Sequence, residues 1–214
     1  MFGLFNKKNK ATGALKEFYS ATAVPGSTRI GDAPLLAVDM ETTGLKAEEH
    51  KILSIGWVPV NGRRIDLSGA GYVLVAGAEV GESAVIHHLT DDMVAQGVSE
   101  AEAIEQLLVA LRGRAMLNHY SALESSFVDA ACKRHFGAPF DVLLVDTFAI
   151  ERRHMERMGT YPRGEDLRLA RVRSRYNLPN YRNHNALTDA LACAELYLAQ
   201  VATLNVSTLK SLQY

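Results

Sequence analysis

At 214 residues, with 48% hydrophobic and 22% charged side chains, the chain is long enough to bury a core of its own, and its composition excludes a disordered or membrane-embedded protein. A formal net charge of −1 excludes an exterior that is basic all over, as a protein gripping duplex DNA with its whole surface would need, while leaving room for a local basic groove. No apolar stretch approaches a membrane span, and apolar residues 1–5 run at once into Lys7, Lys8 and Lys10 without a signal-peptide core, so no membrane association and a cytoplasmic location are expected.

Residues 1–32 mix Lys-, Gly- and Pro-containing stretches around a short helical patch at 14–19, and predict a loosely structured leader ahead of one domain over 33–214. Residues 35–39 form an apolar run ending in an acid, and 52–60 are rich in β-formers. Asn61-Gly62 then signals a type I′ turn into 63–67, and 72–75 is a further strand candidate, so the domain begins as an antiparallel meander. Ser99 with Glu102 three residues on has the form of a capping box opening an amphipathic helix that runs to Leu111. Beyond it the pattern predicts a buried strand at 114–118, a helix at 121–136 closed by Gly137, and a strand at 142–145. Helices are expected at 147–155, 166–176 and 186–199. A meander followed by alternating β and α segments implies an α/β fold with a mixed sheet flanked by helices. Cys132 and Cys193 fall in the helical segments with no second Cys or His at metal-ligand spacing, and are expected as small buried residues.

Three segments carry acids where such a sheet would bring them together. Asp39 and Glu41 end the first strand, and residues two apart in a strand face the same side. Glu124 lies at the start of the helix that follows Asn118-His119. His184 precedes, and Asp189 opens, the last helix, so the two can converge on one point. Each has a plainer alternative when taken singly: a solvated turn at Asp39 to Gly44, and acids favoured by the helix dipole at Glu124 and Asp189. A locally basic stretch of nine arginines against four acids lies between Glu151 and Arg182, either a solvated face or part of a path for a polyanion.

The order Asp39-Met40-Glu41-Thr42-Thr43-Gly44, then an acid in a strand-to-helix segment, then His184-Asn185-Ala186-Leu187-Thr188-Asp189-Ala190 resembles the DEDD 3′-to-5′ exonucleases of the His-containing subgroup, among them the proofreading epsilon subunit of bacterial DNA polymerase III. The resemblance covers roughly residues 34–203. Softer matches are Ile86-His87-His88-Leu89-Thr90-Asp91-Asp92-Met93 and Val145-Asp146-Thr147. The middle motif departs from the family, whose usual His-Asn-x-x-Phe-Asp is here His119-Tyr120-Ser121-Ala122-Leu123-Glu124, with Glu in place of Asp.

The resemblance implies a ribonuclease H-like fold with a mixed five-stranded sheet, and two Mg²⁺ or Mn²⁺ ions at the scissile phosphate. It implies that Asp39 bridges both ions, that Glu41 and Asp189 hold the one carrying the attacking water, and that Glu124 helps hold the other. His184 would be the general base, a role suited to an imidazole that ordinarily titrates near neutral pH. Thr42, Thr43 and Gly44 would contact the terminal nucleotide, and Leu45 would pack on a base. The implied substrate is the 3′ end of a single-stranded nucleic acid, DNA in the favoured reading, released as nucleoside 5′-monophosphates without sequence preference. The alternatives are an enzyme trimming RNA ends or short RNA oligomers, and, because of Glu124, a catalytically inactive nucleic-acid-binding module. The few residues after the last helix argue against a polymerase tether, while homodimerisation occurs among relatives.

Overall fold

The computed structural model describes residues 8–77, 94–181 and 184–213; the motif at residues 86–93 and Arg182 lie outside them. Among the described residues six strands form one sheet: β1 (Pro34–Thr42), β2 (Ile52–Asn61), β3 (Arg64–Ile65), β4 (Gly71–Leu74), β5 (Ala115–Asn118) and β6 (Leu144–Asp146). The order is β3-β2-β1-β5-β6, with β4 also on β2. β1 runs antiparallel to β2 and parallel to β5, which is parallel to β6, so the sheet is mixed as expected.

The six strands fall on the six strand candidates of the sequence, and the count exceeds the five implied by the resemblance because one edge is divided. β4 pairs with Ser54 to Trp57 and β3 with Val60 and Asn61, both antiparallel to β2. They are in effect one edge strand interrupted by a 3-10 turn, Leu67–Gly69, which Asp66 caps by accepting from the Ser68 N–H at 3.1 Å. The turn before β3 is not type I′. Asn61 pairs with Arg64, leaving Gly62 and Arg63 as the loop, and only Gly62 has positive φ there, whereas type I′ needs two such residues. Gly62 is required because a Cβ would overlap the Gly31 carbonyl.

Among the described residues the helices are α1 (Gly13–Ser20), α2 (Glu100–Leu111), α3 (Ala122–Phe136), α4 (Thr147–Arg157), α5 (Leu169–Arg175) and α6 (Ala186–Thr203). Alternation along β1 sorts them. Leu36, Val38 and Met40 join a core with residues of α1, α2 and α3, while Leu35 and Ala37 face residues of α4 and α6. α1 lies on the expected helical patch at 14–19 and is packed, with Leu15 and Phe18 buried in the first of these cores. Burial of this kind contributes roughly 2 kcal/mol per side chain. The capping box at Ser99 and Glu102 is formed, and Gly137 at φ 72 ends α3.

The helix expected at 166–176 is split into a 3-10 turn, Gly164–Leu167, and α5. At the break the Leu167 carbonyl accepts from His119 Nε2 at 2.7 Å. Cys132 and Cys193 are buried and unpaired, as expected. No helix among the described residues is long and apolar enough to cross a membrane.

Candidate active site

The face of β1 that carries Leu35 and Ala37 continues into Asp39 and Glu41, so the alternation that builds one core also aims two carboxylates at α6. Opposite them on β2 stand Gly56, paired with Asp39, and Ser54, paired with Glu41. A Cβ on Gly56 would overlap the backbone of Ala186 and Leu187, so the start of α6 lies directly on the sheet at this point. Asn185 caps α6 by accepting from the Thr188 N–H at 3.0 Å, and Asp189 follows in the first turn. Carboxylate oxygens of Asp39, Glu41 and Asp189 thereby lie within 4.8 Å of one another. The sequence reading missed Gly56 and Ser54. The available signal was a Gly inside a strand pattern, which marks close approach of another backbone.

Glu124, on the first turn of α3, is 2% exposed and lies outside that triad, yet its charge is close enough to raise the pKa of Asp39. Its position depends on Asp146 at the end of β6. One Asp146 oxygen accepts from the N–H groups of Tyr120, Phe148 and Ala149, and the other from the N–H and hydroxyl of Ser121. A single carboxylate thus caps α4 and also fixes the turn that leads into α3. The sequence reading matched Val145-Asp146-Thr147 to the family pattern without assigning this role.

The four acids are hard to ionise together. Burial, then the charges of Glu124, Asp189 and Glu41, holds Asp39 well above the usual carboxylate range. Burial and then the Asp189 charge push Glu41 up to about 7, and burial, with the Asp146 charge adding to it, pushes Glu124 up to about 8. Asp189 is also raised by burial, against the bond it accepts at Oδ2 from the His184 N–H at 2.8 Å. Glu124 Oε2 and Asp189 Oδ1 are buried and have no hydrogen-bond partner among the described residues. Buried carboxylate oxygens left this way are costly unless a cation neutralises them.

His184 is exposed, with φ 72, and its side chain is not among the clustered ligand atoms; its backbone N–H donates to Asp189, and its charge also acts to lower the Asp189 pKa. At the end of β1, Thr42 Oγ1 donates to the Gly44 carbonyl at 2.7 Å, and in the loop that follows Thr43 Oγ1 accepts from the Lys51 N–H at 3.0 Å, so both hydroxyls hold the turn. Gly44 is packed on the His50 ring, and Leu45 is 78% exposed.

Much of the arginine-rich stretch is structural. Arg173 is buried and donates to the Ala192 and Pro179 carbonyls and to Glu195, while Arg175 pairs with the buried Glu151. Arg163 and Arg171 pair with Asp166. Arg152 and Arg168 are exposed and have no carboxylate partner among the described residues.

Known proteins resemble this chain in sequence and in fold. The family model described as exonuclease, RNase T, matches residues 36–197. The DNA polymerase III epsilon subunit of Treponema pallidum is 28% identical over 169 residues, 78% of this chain and 75% of that one. The Escherichia coli epsilon subunit is 28% identical over 176 residues, covering 77% and 70%. The PolC-type DNA polymerase III of Lacticaseibacillus paracasei is 26% identical, but this chain spans only 11% of its length. In fold, the nuclease domain of 3′hExo, a DEDDh family member, superposes with a TM-score of 0.66 at 14% identity, covering 80% of this chain and 93% of that one. E. coli exonuclease I in complex with an oligonucleotide gives 0.68 at 14% identity, with 81% of this chain and 43% of that one covered. The chain belongs to the RNase T exonuclease family, as a DEDD-type 3′-to-5′ exonuclease similar to the epsilon subunit.

Proposed function

We propose that the enzyme removes nucleotides from the 3′ end of single-stranded nucleic acid, DNA in preference to RNA, and releases nucleoside 5′-monophosphates with two Mg²⁺ or Mn²⁺ ions. The observation that carries this reading is the convergence of Asp39, Glu41 and Asp189, with Glu124 beside them, in an exonuclease-family chain.

An all-oxygen donor set containing two buried, unpartnered carboxylate oxygens fits hard divalent cations. Asp39, Glu41 and Asp189 would hold them, with Glu124 completing the set. Bound cations supply positive charge that offsets the charge developing on the scissile phosphate. His184 takes the proton of the attacking water on an imidazole nitrogen, tied to the site by its N–H bond to Asp189. The turn from Thr42 to Gly44 presents backbone to the terminal nucleotide, and exposed Leu45 packs on its base. Backbone and stacking contacts carry little sequence information, so all four bases are removed. A cytoplasmic location completes the reading.

The test is to incubate the protein with single-stranded DNA and RNA of one sequence, in Mg²⁺, Mn²⁺ or EDTA, and to identify the products by mass spectrometry. The expected result is 5′-monophosphates only with metal, and faster from DNA. Faster release from RNA would reverse the sugar preference, and binding of the strand without release in any metal would replace the enzyme reading with a binding module.

A further inference from the structure

Tyr120, four residues before Glu124, keeps a half-exposed aromatic side chain at a backbone position that disfavours it. It follows β5 and has φ 77, a region that Asn or Gly enters at little cost and an aromatic residue does not. The backbone there is accounted for: the Tyr120 N–H donates to Asp146 at 3.0 Å, and its carbonyl accepts from the Leu123 N–H at 3.2 Å. The residue is 52% exposed, and its ring meets Phe148 edge-on, with centroids 5.2 Å apart. Phe148 carries the exposed Arg152 guanidinium over its face at 5.1 Å. An open aromatic face and an adjacent cation therefore stand at the carboxyl ends of β5 and β6, four residues before Glu124.

A single exposed ring is too small for a protein interface, whereas it matches one base, with the guanidinium within reach of a phosphate. We infer that Tyr120 is a stacking platform for a base of the substrate strand upstream of the terminal nucleotide, with Arg152 facing the adjoining phosphate. The inference rests on the exonuclease reading above. It makes Tyr120 a binding residue that acts on any base, since every base offers a π-face.

The test uses Tyr120→Asn, which suits the left-handed backbone and so removes the ring without straining the fold, and Tyr120→Trp, which keeps an aromatic face. Affinity for a labelled single strand is read by fluorescence anisotropy with Ca²⁺, and KM and kcat are read with Mn²⁺. Tyr120→Asn should weaken binding and raise KM about tenfold, the scale of one lost base–aromatic stack, with a smaller change in kcat; Tyr120→Trp should restore both. An abasic residue walked along the strand should cost the wild type the same factor at one upstream position, where Tyr120→Asn loses nothing more. Unchanged binding by Tyr120→Asn in an otherwise active enzyme overturns the inference and leaves the exonuclease reading intact. So does a loss that Tyr120→Trp fails to rescue, or one equal at every abasic position. A wild type that neither binds nor cleaves single strands with metal removes both readings together.

Discussion

The backbone of Ala186 fills the space in which a Cβ at Gly56 would stand. Because Gly56 is paired with Asp39, this contact sets how close α6, and with it Asp189, comes to the two acids of β1. Gly56→Ala should therefore destabilise the protein by about 1–3 kcal/mol, the usual range for overpacking. It should also lower kcat by at least roughly tenfold, since small misplacements of reacting groups cost large factors. Thermal melts and steady-state kinetics check this against Gly164→Ala, where a Cβ meets nothing within 4 Å and the change should stay within about 0.5 kcal/mol.

Substitutions of Glu124 separate charge from reach. Glu124→Gln removes a buried, repelled carboxylate, so without metal the melting temperature should rise while activity falls by roughly a hundredfold or more. Glu124→Asp restores the family's shorter acid and should keep activity within about tenfold of the wild type. Loss of activity in the Asp variant as complete as in the Gln variant would mean that the backbone of α3 is set for the longer side chain.

The acids with raised pKa values make stability depend on pH in a stated direction. Glu41 and Glu124 shift from 4.5 to about 7 and about 8, so between these values the folded state holds protons that the unfolded chain has lost. Their contribution is present in full below about pH 4.5 and is lost as pH rises through 7 to 8. One pKa unit corresponds to about 1.4 kcal/mol, and 1 kcal/mol moves Tm by about 2–4 °C at this size, so in EDTA the drop attributable to this pair should exceed about 5 °C. Saturating Mn²⁺ should recover it, most strongly at the higher pH, because the cation binds the deprotonated carboxylates. Melting curves across pH in EDTA and in Mn²⁺ measure both effects.

The sequence carried the strands, the capping box, Gly137 and the order of the acids because these follow from local alternation, spacing and turn chemistry. It did not carry the Gly56–Ala186 contact, since a close approach between segments 130 residues apart is a tertiary fact whose local trace is one small residue in a strand. The packing of the helical patch at 14–19 was illegible for a related reason. α1 is short, and its burial comes from packing against α2 and α3 rather than from its own propensity. Both short partners of the ten-residue β2 are among the six strand candidates of the sequence; the five-stranded sheet that the resemblance implies counts this divided edge once. At the split before α5 the Leu167 carbonyl accepts from His119, 48 residues away, a contact that local spacing does not reveal.

Asp146→Ala would leave the five donors now served by one carboxylate to find water or nothing. The expected cost is about 1–3 kcal/mol in stability, with loosening of the turn before Glu124 and a fall in kcat of roughly tenfold or more. Asp146→Asn keeps an accepting oxygen and should lie between the wild type and the Ala variant in both measurements.

The most direct test of the carboxylate cluster as a metal-dependent nuclease site follows a 5′-labelled single strand over time in Mn²⁺ and in EDTA, for the wild type and Asp39→Asn. The account predicts a ladder shortening from the 3′ end in Mn²⁺, no cleavage in EDTA, and loss of the ladder in the variant while strand binding persists. Equal cleavage in EDTA, or an unchanged ladder from Asp39→Asn, would contradict it.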